Sequence, residues 1–213
     1  MSFTIVNFPQ RSQDWFLARL GRLTGSVAKD ALATVKSGEA AARRDLRIRL
    51  ALERITGQPE TEGYVNADMQ RGIDLEPKAR MALEAEHGLV VEESGFIQHD
   101  ELMVGCSLDG HVRAVTDTLV SLKCPKSATH FGYLRERDIP STYVPQMLHE
   151  CWVTGARSYV FASFDDRFPE PLRLMVVKRE VSDKDVADYA EKAKSFLAEV
   201  DAEVAAIRRM MEA

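Results

Sequence analysis

A single change of period constrains this chain more than any other feature. Up to residue 88 the apolar residues recur at helical spacing, and from "LVVEESGFIQHD" onward they alternate, in short runs broken by Gly, Asp and Ser. Helical spacing gathers apolar residues on one stripe, whereas alternation gathers them on one face of a strand. A chain of 213 residues that does both in turn must stack helices on sheet.

The elements can be read in order. "SQDWFLARLGRL" is a short helix with Ser12 as N-cap and Gly21 closing it. "TGSVAKDALAT" reopens a helix at residues 24–26, and "GEAAARRDLRIRLALERITGQ" is a long amphipathic run ending at Gly57. After a turn at "QPETEG", a helix runs from about Asp68 to His87, with Pro77 inside it at a place where a kink or break is expected. "GFIQHD", "MVGCSLDGHV" and "TLVSLKCP" then read as a meander of antiparallel strands. "THFGYLRERDI" and "YVPQMLHECWVTG" return to helix, and "SYVFASFD" and "LRLMVVKREV" are strands. Ser182, with Asp185 at capping-box spacing, opens a terminal helix. The order predicts one mixed α/β domain spanning residues 1–213.

Composition removes several classes of function. No window nears the roughly 18 consecutive apolar residues of a membrane span, and "MSFTIVNFPQRSQDW" lacks a basic end followed by an apolar run. A cytoplasmic protein with no membrane partner is expected. Cys106, Cys124 and Cys151 are odd in number and lack CxxC spacing, which argues against a disulfide framework or a zinc ribbon. The formal net charge of −5 argues against coating nucleic acid by bulk electrostatics, so any DNA contact must be local. The basic clusters at 19–22, 43–49 and 135–138 either line a groove or are solvated helix faces with ion-pair partners. His111, His130 and His149 lack ligand spacing and read as packing or surface residues.

The chemistry is concentrated in residues 107–125, "SLDGHVRAVTDTLVSLKCP". Hydrolysing a phosphodiester calls for a divalent ion that stabilises the attacking and leaving oxygens, and oxygen ligands suit Mg²⁺ or Mn²⁺. Asp109 stands at a strand end before Gly110, and Lys123 lies on the next strand with Ser121 on the same face. A carboxylate at 121 would join Asp109 in holding the ion, with the Leu122 carbonyl as a further ligand and Lys123 positioning or activating water. The Ser121 hydroxyl is a weak, neutral ligand by comparison. Asp117 is no substitute, because four strand residues at ~3.3 Å each place it ~13 Å away.

Taken with "WFLARLGRLTGS", "MQRGIDLEPKAR" and "QMLHECWVTG", this stretch resembles the YqaJ-like viral recombinases typified by lambda exonuclease, within the PD-(D/E)XK superfamily. The resemblance covers about residues 15–180. It implies an α/β fold with a restriction-endonuclease-like core, a central mixed β-sheet flanked by helices. By the same resemblance, Asp109 is a metal-binding aspartate, Lys123 the catalytic lysine, Ser121 the family's glutamate position and Glu76 a helix glutamate near the metal. Gln146 matches the glutamine of the helix after the active-site strands. Arg19 and Ser26 match the residues that hold the 5′-phosphate. Alone, each has a plain structural reading: Asp109-Gly110 as a hairpin turn, Glu76 as a helix N-terminal charge, and Lys123, Arg19 and Gln146 as surface or helix-face residues. Four blocks in one order outweigh those separate readings.

The function implied is a Mg²⁺-dependent exonuclease, with Mn²⁺ able to substitute, that digests one strand of duplex DNA from the 5′ end and leaves a 3′ strand for recombination. Ser121 is expected to weaken it. A non-catalytic DNA-end-binding protein and a restriction-type endonuclease are the alternatives. The resemblance further implies a homotrimeric ring, double-stranded DNA ends and a single-strand annealing protein as partners, and the cytoplasm of a bacterial or phage-infected cell as the setting.

Overall fold

A computed structural model of the protein describes residues 3–10, 12–60, 66–112 and 115–211. The chain opens with β1 (Phe3–Val6), which its sequence did not announce. Ser12 then caps α1 (Gln13–Arg19) by accepting from the Trp15 N–H. The "TGSVAKDALAT" run divides into β2 (Leu23–Thr24), a 3-10 turn (Gly25–Val27) and the single-turn α2 (Ala28–Ala31). The amphipathic run is α3 (Ala41–Thr56), ended by Gly57 in the left-handed region at φ +66°. The last three residues of "QPETEG" lie outside the described residues.

Next comes α4 (Ala67–His87), with the Asn66 side chain accepting from the Met69 N–H at its start. The break expected at Pro77 does not occur, and the helix runs through as one element. Pro77 is exposed, so the carbonyl its ring deprives of a donor lies on the solvated side, where helices already bend outward.

The strands are β3 (Val91–Glu92), β4 (Phe96–His99), β5 (Val104–Ser107), β6 (Gly110–Val112) and β7 (Val115–Lys123). After α5 (Ser127–Glu136) and α6 (Val144–Thr154) come β8 (Ser158–Phe164), β9 (Leu174–Glu180) and the long α7 (Asp183–Met211). Ser182 accepts from the Asp185 N–H and donates to its carboxylate, the capping box foreseen for α7.

The strands are not one meander. They form two sheets, ordered β1-β4-β5-β2 and β3-β6-β7-β8-β9, and the chain passes from the first to the second at Leu108-Asp109. Neighbouring strands are antiparallel except for β2 with β5 and β7 with β8. The reason is local. β5 takes its partners β4 and β2 from both sides, whereas the three residues of β6 pair with β7 and β3.

Two apolar cores result. One gathers α3, α6 and α7 with Leu119, Tyr159 and Phe161, and the other packs α4 on Val120, Leu122, Val160 and Ala162. Alternation along β7 therefore sends Leu119, Ser121 and Lys123 toward the α6 side, and Val120 and Leu122 toward α4. Burying each of these aliphatic side chains contributes about 1.5–3 kcal/mol, which fixes the register of the strand.

Candidate active site

Asp109 stands where the two sheets meet, and the next strand over closes on it. Its Oδ2 accepts from the Leu122 backbone N–H at 2.8 Å, the Lys123 ammonium at 3.1 Å and the Ser121 hydroxyl at 3.2 Å. The four residues named from the sequence thus converge. Ser121 is buried, and Lys123 is only 19% exposed. Burial works to lower the Lys123 pKa, but the charges of Asp109 and Glu150 outweigh it and raise the pKa, so the side chain stays an ammonium.

On the α6 side, Gln146 donates to the Glu150 Oε1 at 2.7 Å, and the Tyr159 hydroxyl donates to its Oε2 at 2.7 Å. Glu150 is 2% exposed and close enough to Asp109 and Lys123 for both charges to act on it. Burial pushes its carboxyl up to about 7. Room for this group depends on Gly25, where a Cβ would stand 3.2 Å from the Glu150 Oε1. Glu76 lies on the other side, on α4. Arg80 reaches both its carboxylate, at 3.6 Å, and the Asp109 backbone carbonyl, at 3.4 Å.

Arg19 and Ser26 come together in an adjoining cavity of about 220 Å³, also lined by Trp15, Thr24, Arg49 and Glu53. Arg19 donates to Ser107 at 3.1 Å and to Thr24 at 3.4 Å, with its guanidinium 4.1 Å from the centre of the Trp15 ring. Burial lowers its pKa to about 10, which leaves it charged at neutral pH. The buried Arg49 Nε has no partner among the described residues. Ser26 also lines a second cavity with Gly25, Tyr143 and Gln146.

The basic run 43–49 is mostly structural, since Arg43 and Arg47 pair with Glu39, Glu199 and Glu203 to fasten α3 to α7. Of the three histidines noted in the sequence, His130 and His149 are buried and His111 stands partly exposed beside Glu92. His149 bridges the Gly105 carbonyl and the Tyr189 hydroxyl, and His130 bridges the Leu172 carbonyl and the Ser163 hydroxyl. Arg49, from the basic run 43–49, does line a cavity, as one of the two sequence readings had it, whereas reading the sequence missed Ser107 and Glu150. The last left one signal, a carboxylate beside His149 in the otherwise apolar "MLHECWV", since a charge is rarely buried without a partner.

As donors for a hard divalent ion these groups are of the right kind, carboxylate and carbonyl oxygens. Among the described residues no three His, Cys, Asp or Glu side chains form a metal-holding group.

Mixed sheets flanked by helices, in this strand order, are the fold of the PD-(D/E)XK nucleases. Residues 14–157 match the YqaJ-like viral recombinase domain, and the chain belongs to that family. A crystal structure of LHK-Exo in complex with dAMP superposes with a TM-score of 0.85 at 33% identity, covering 94% of this chain and 98% of that one. A second structure of that alkaline exonuclease, from Laribacter hongkongensis, gives 0.84 at 34% identity over the same shares. A phage-related exonuclease from Haemophilus somnus 129PT gives 0.69 at 15% identity, over 87% and 96%, a likeness of fold alone. No curated protein sequence shows comparable similarity. The family and the matched structures make this chain a nuclease of the exonuclease type.

Proposed function

We propose that this chain digests one strand of linear duplex DNA from its 5′ end, leaving a 3′ single strand for recombination. One observation carries the reading: Arg19, which lines a cavity with Ser26, donates to Ser107, and Asp109, two residues on, accepts from Lys123. An end held at Arg19 and Ser26 thereby brings the following phosphodiester to Lys123. The dAMP bound to the Laribacter relative is of the product class such digestion releases.

Asp109 and the Leu122 carbonyl would hold Mg²⁺ or Mn²⁺, which supplies charge stabilisation to the attacking and leaving oxygens. Lys123, bonded to Asp109, is the group that would position or activate the attacking water beside that ion. Glu150 fixes the Gln146 amide, whose carbonyl oxygen is an acceptor for that water. Glu76, steadied by Arg80, borders the site from α4.

Ser121 favours a second reading, in which the chain holds DNA ends without cutting them. A restriction-type endonuclease leaves the Arg19 cavity without a use. The test is Mg²⁺-dependent release from 5′-phosphorylated linear duplex and from closed circles. Mononucleotides from the linear substrate alone, lost in Lys123→Ala, are the expected result. Cutting of circles would identify an endonuclease, and bound but intact ends would establish the holding reading. A single-strand annealing protein, taking up the exposed 3′ strand, is the partner this activity implies.

A further inference from the structure

Position 121 leaves the metal site short of a carboxylate, and the fold decides where another can come from. On β7, Ser121 faces α6 with Leu119, while the α4 side belongs to Val120 and Leu122. Glu76 is carried by α4 and so reaches the site from the opposite side to the Ser121 side chain. Glu150 is carried by α6, the element Ser121 faces. The Tyr159 hydroxyl joins the two, bonding to Glu150 at 2.7 Å and touching Ser121. Tyr159 can do so because it stands on β8, the parallel neighbour of β7, with its side chain on the same face.

We infer that Glu150 is the second carboxylate of the metal site, supplied from α6 in place of the strand position now held by Ser121. The inference rests on the exonuclease reading and concerns its donor set. Burying an ionisable side chain is costly unless something compensates it. The Gln146 and Tyr159 donors take one lone pair on each Glu150 oxygen, and each oxygen keeps another for an ion. With Asp109 and the Leu122 carbonyl, this makes two carboxylates and a carbonyl, an all-oxygen set suited to Mg²⁺ or Mn²⁺. A serine at 121 is then no loss: its small side chain leaves room for the Tyr159 hydroxyl and the carboxylate behind it.

The experiment titrates Mn²⁺, followed by calorimetry and by its paramagnetic resonance signal, into the full chain and into Glu150→Gln, Ser121→Glu and the double variant. Glu150→Gln is expected to weaken Mn²⁺ binding roughly ten-fold or more, with its thermal midpoint recorded alongside. Ser121→Glu in the Glu150→Gln background should recover most of that loss, whereas in the parent it should add less than about three-fold. The parent comparison does not depend on Glu150→Gln folding. Unchanged Mn²⁺ affinity in a folded Glu150→Gln overturns the inference, as does a gain of ten-fold or more from Ser121→Glu in the parent. Should the Mn²⁺ results come out as expected while no form releases mononucleotides, Glu150 stands as a ligand and the exonuclease reading falls.

Discussion

Arg19 is a cation deprived of most of its water, held between Trp15 and Phe96 and tied to Ser107 and Thr24. A guanidinium so placed gains more from a phosphate than a solvated one does, because the fork geometry is set in advance. Arg19→Ala is expected to lower the rate on 5′-phosphorylated ends by about 1.5–3 kcal/mol, roughly ten- to hundred-fold, and to leave 5′-hydroxyl ends far less affected. Parallel rate measurements on the two kinds of end check this, and an equal loss on both would remove Arg19 from end recognition. Residues of this sort were legible because each belongs to a local block: Asp109 to "SLDG", Lys123 to "SLKCP", Arg19 to "ARLGR". Glu150 was not legible, because its part depends on which face of β7 turns toward α6, a relation that no stretch of sequence contains.

At the scale of elements, long periodic runs such as α3, α4 and α7 were readable because their own side chains specify them. β1, β2 and β3 were not, since two to four residues carry too little pattern and each strand exists only through a distant partner. Asp165, just past β8, fastens several elements at once. Its buried carboxylate accepts from Arg71 of α4, Ser127 of α5 and Arg167. Burial works to raise its pKa, and the hydrogen bonds from Arg167 and Ser127 outweigh it, holding the carboxyl well below the usual aspartate range. Its contribution to stability is therefore complete above the unfolded aspartate value near 4 and is lost as pH falls through that range toward the depressed one. Asp165→Asn is expected to cost about 2–4 kcal/mol at neutral pH and to flatten the acid limb of a melting-temperature profile. A profile as steep as the parent's between about pH 4 and 2 would place the acid sensitivity elsewhere.

For the whole molecule, the net charge of −5 must be reconciled with a DNA substrate. A basic lining in a few places does not retain a duplex by itself, and a ring of three chains, as the family resemblance suggests, would retain it by enclosure instead. Light scattering at working concentration should give three times the chain mass, and a monomer would sink the ring. No helix among the described residues is long and apolar enough to cross a membrane. The junction between the two sheets has one more effect. A single residue, Leu108, separates Ser107, which accepts from Arg19, from Asp109, which accepts from Lys123. Were a DNA end held at Arg19 and cut beside Asp109, so short a covalent tether would keep holding and cutting in one fixed relation, and the length of each piece released would then be the same whatever base it bears.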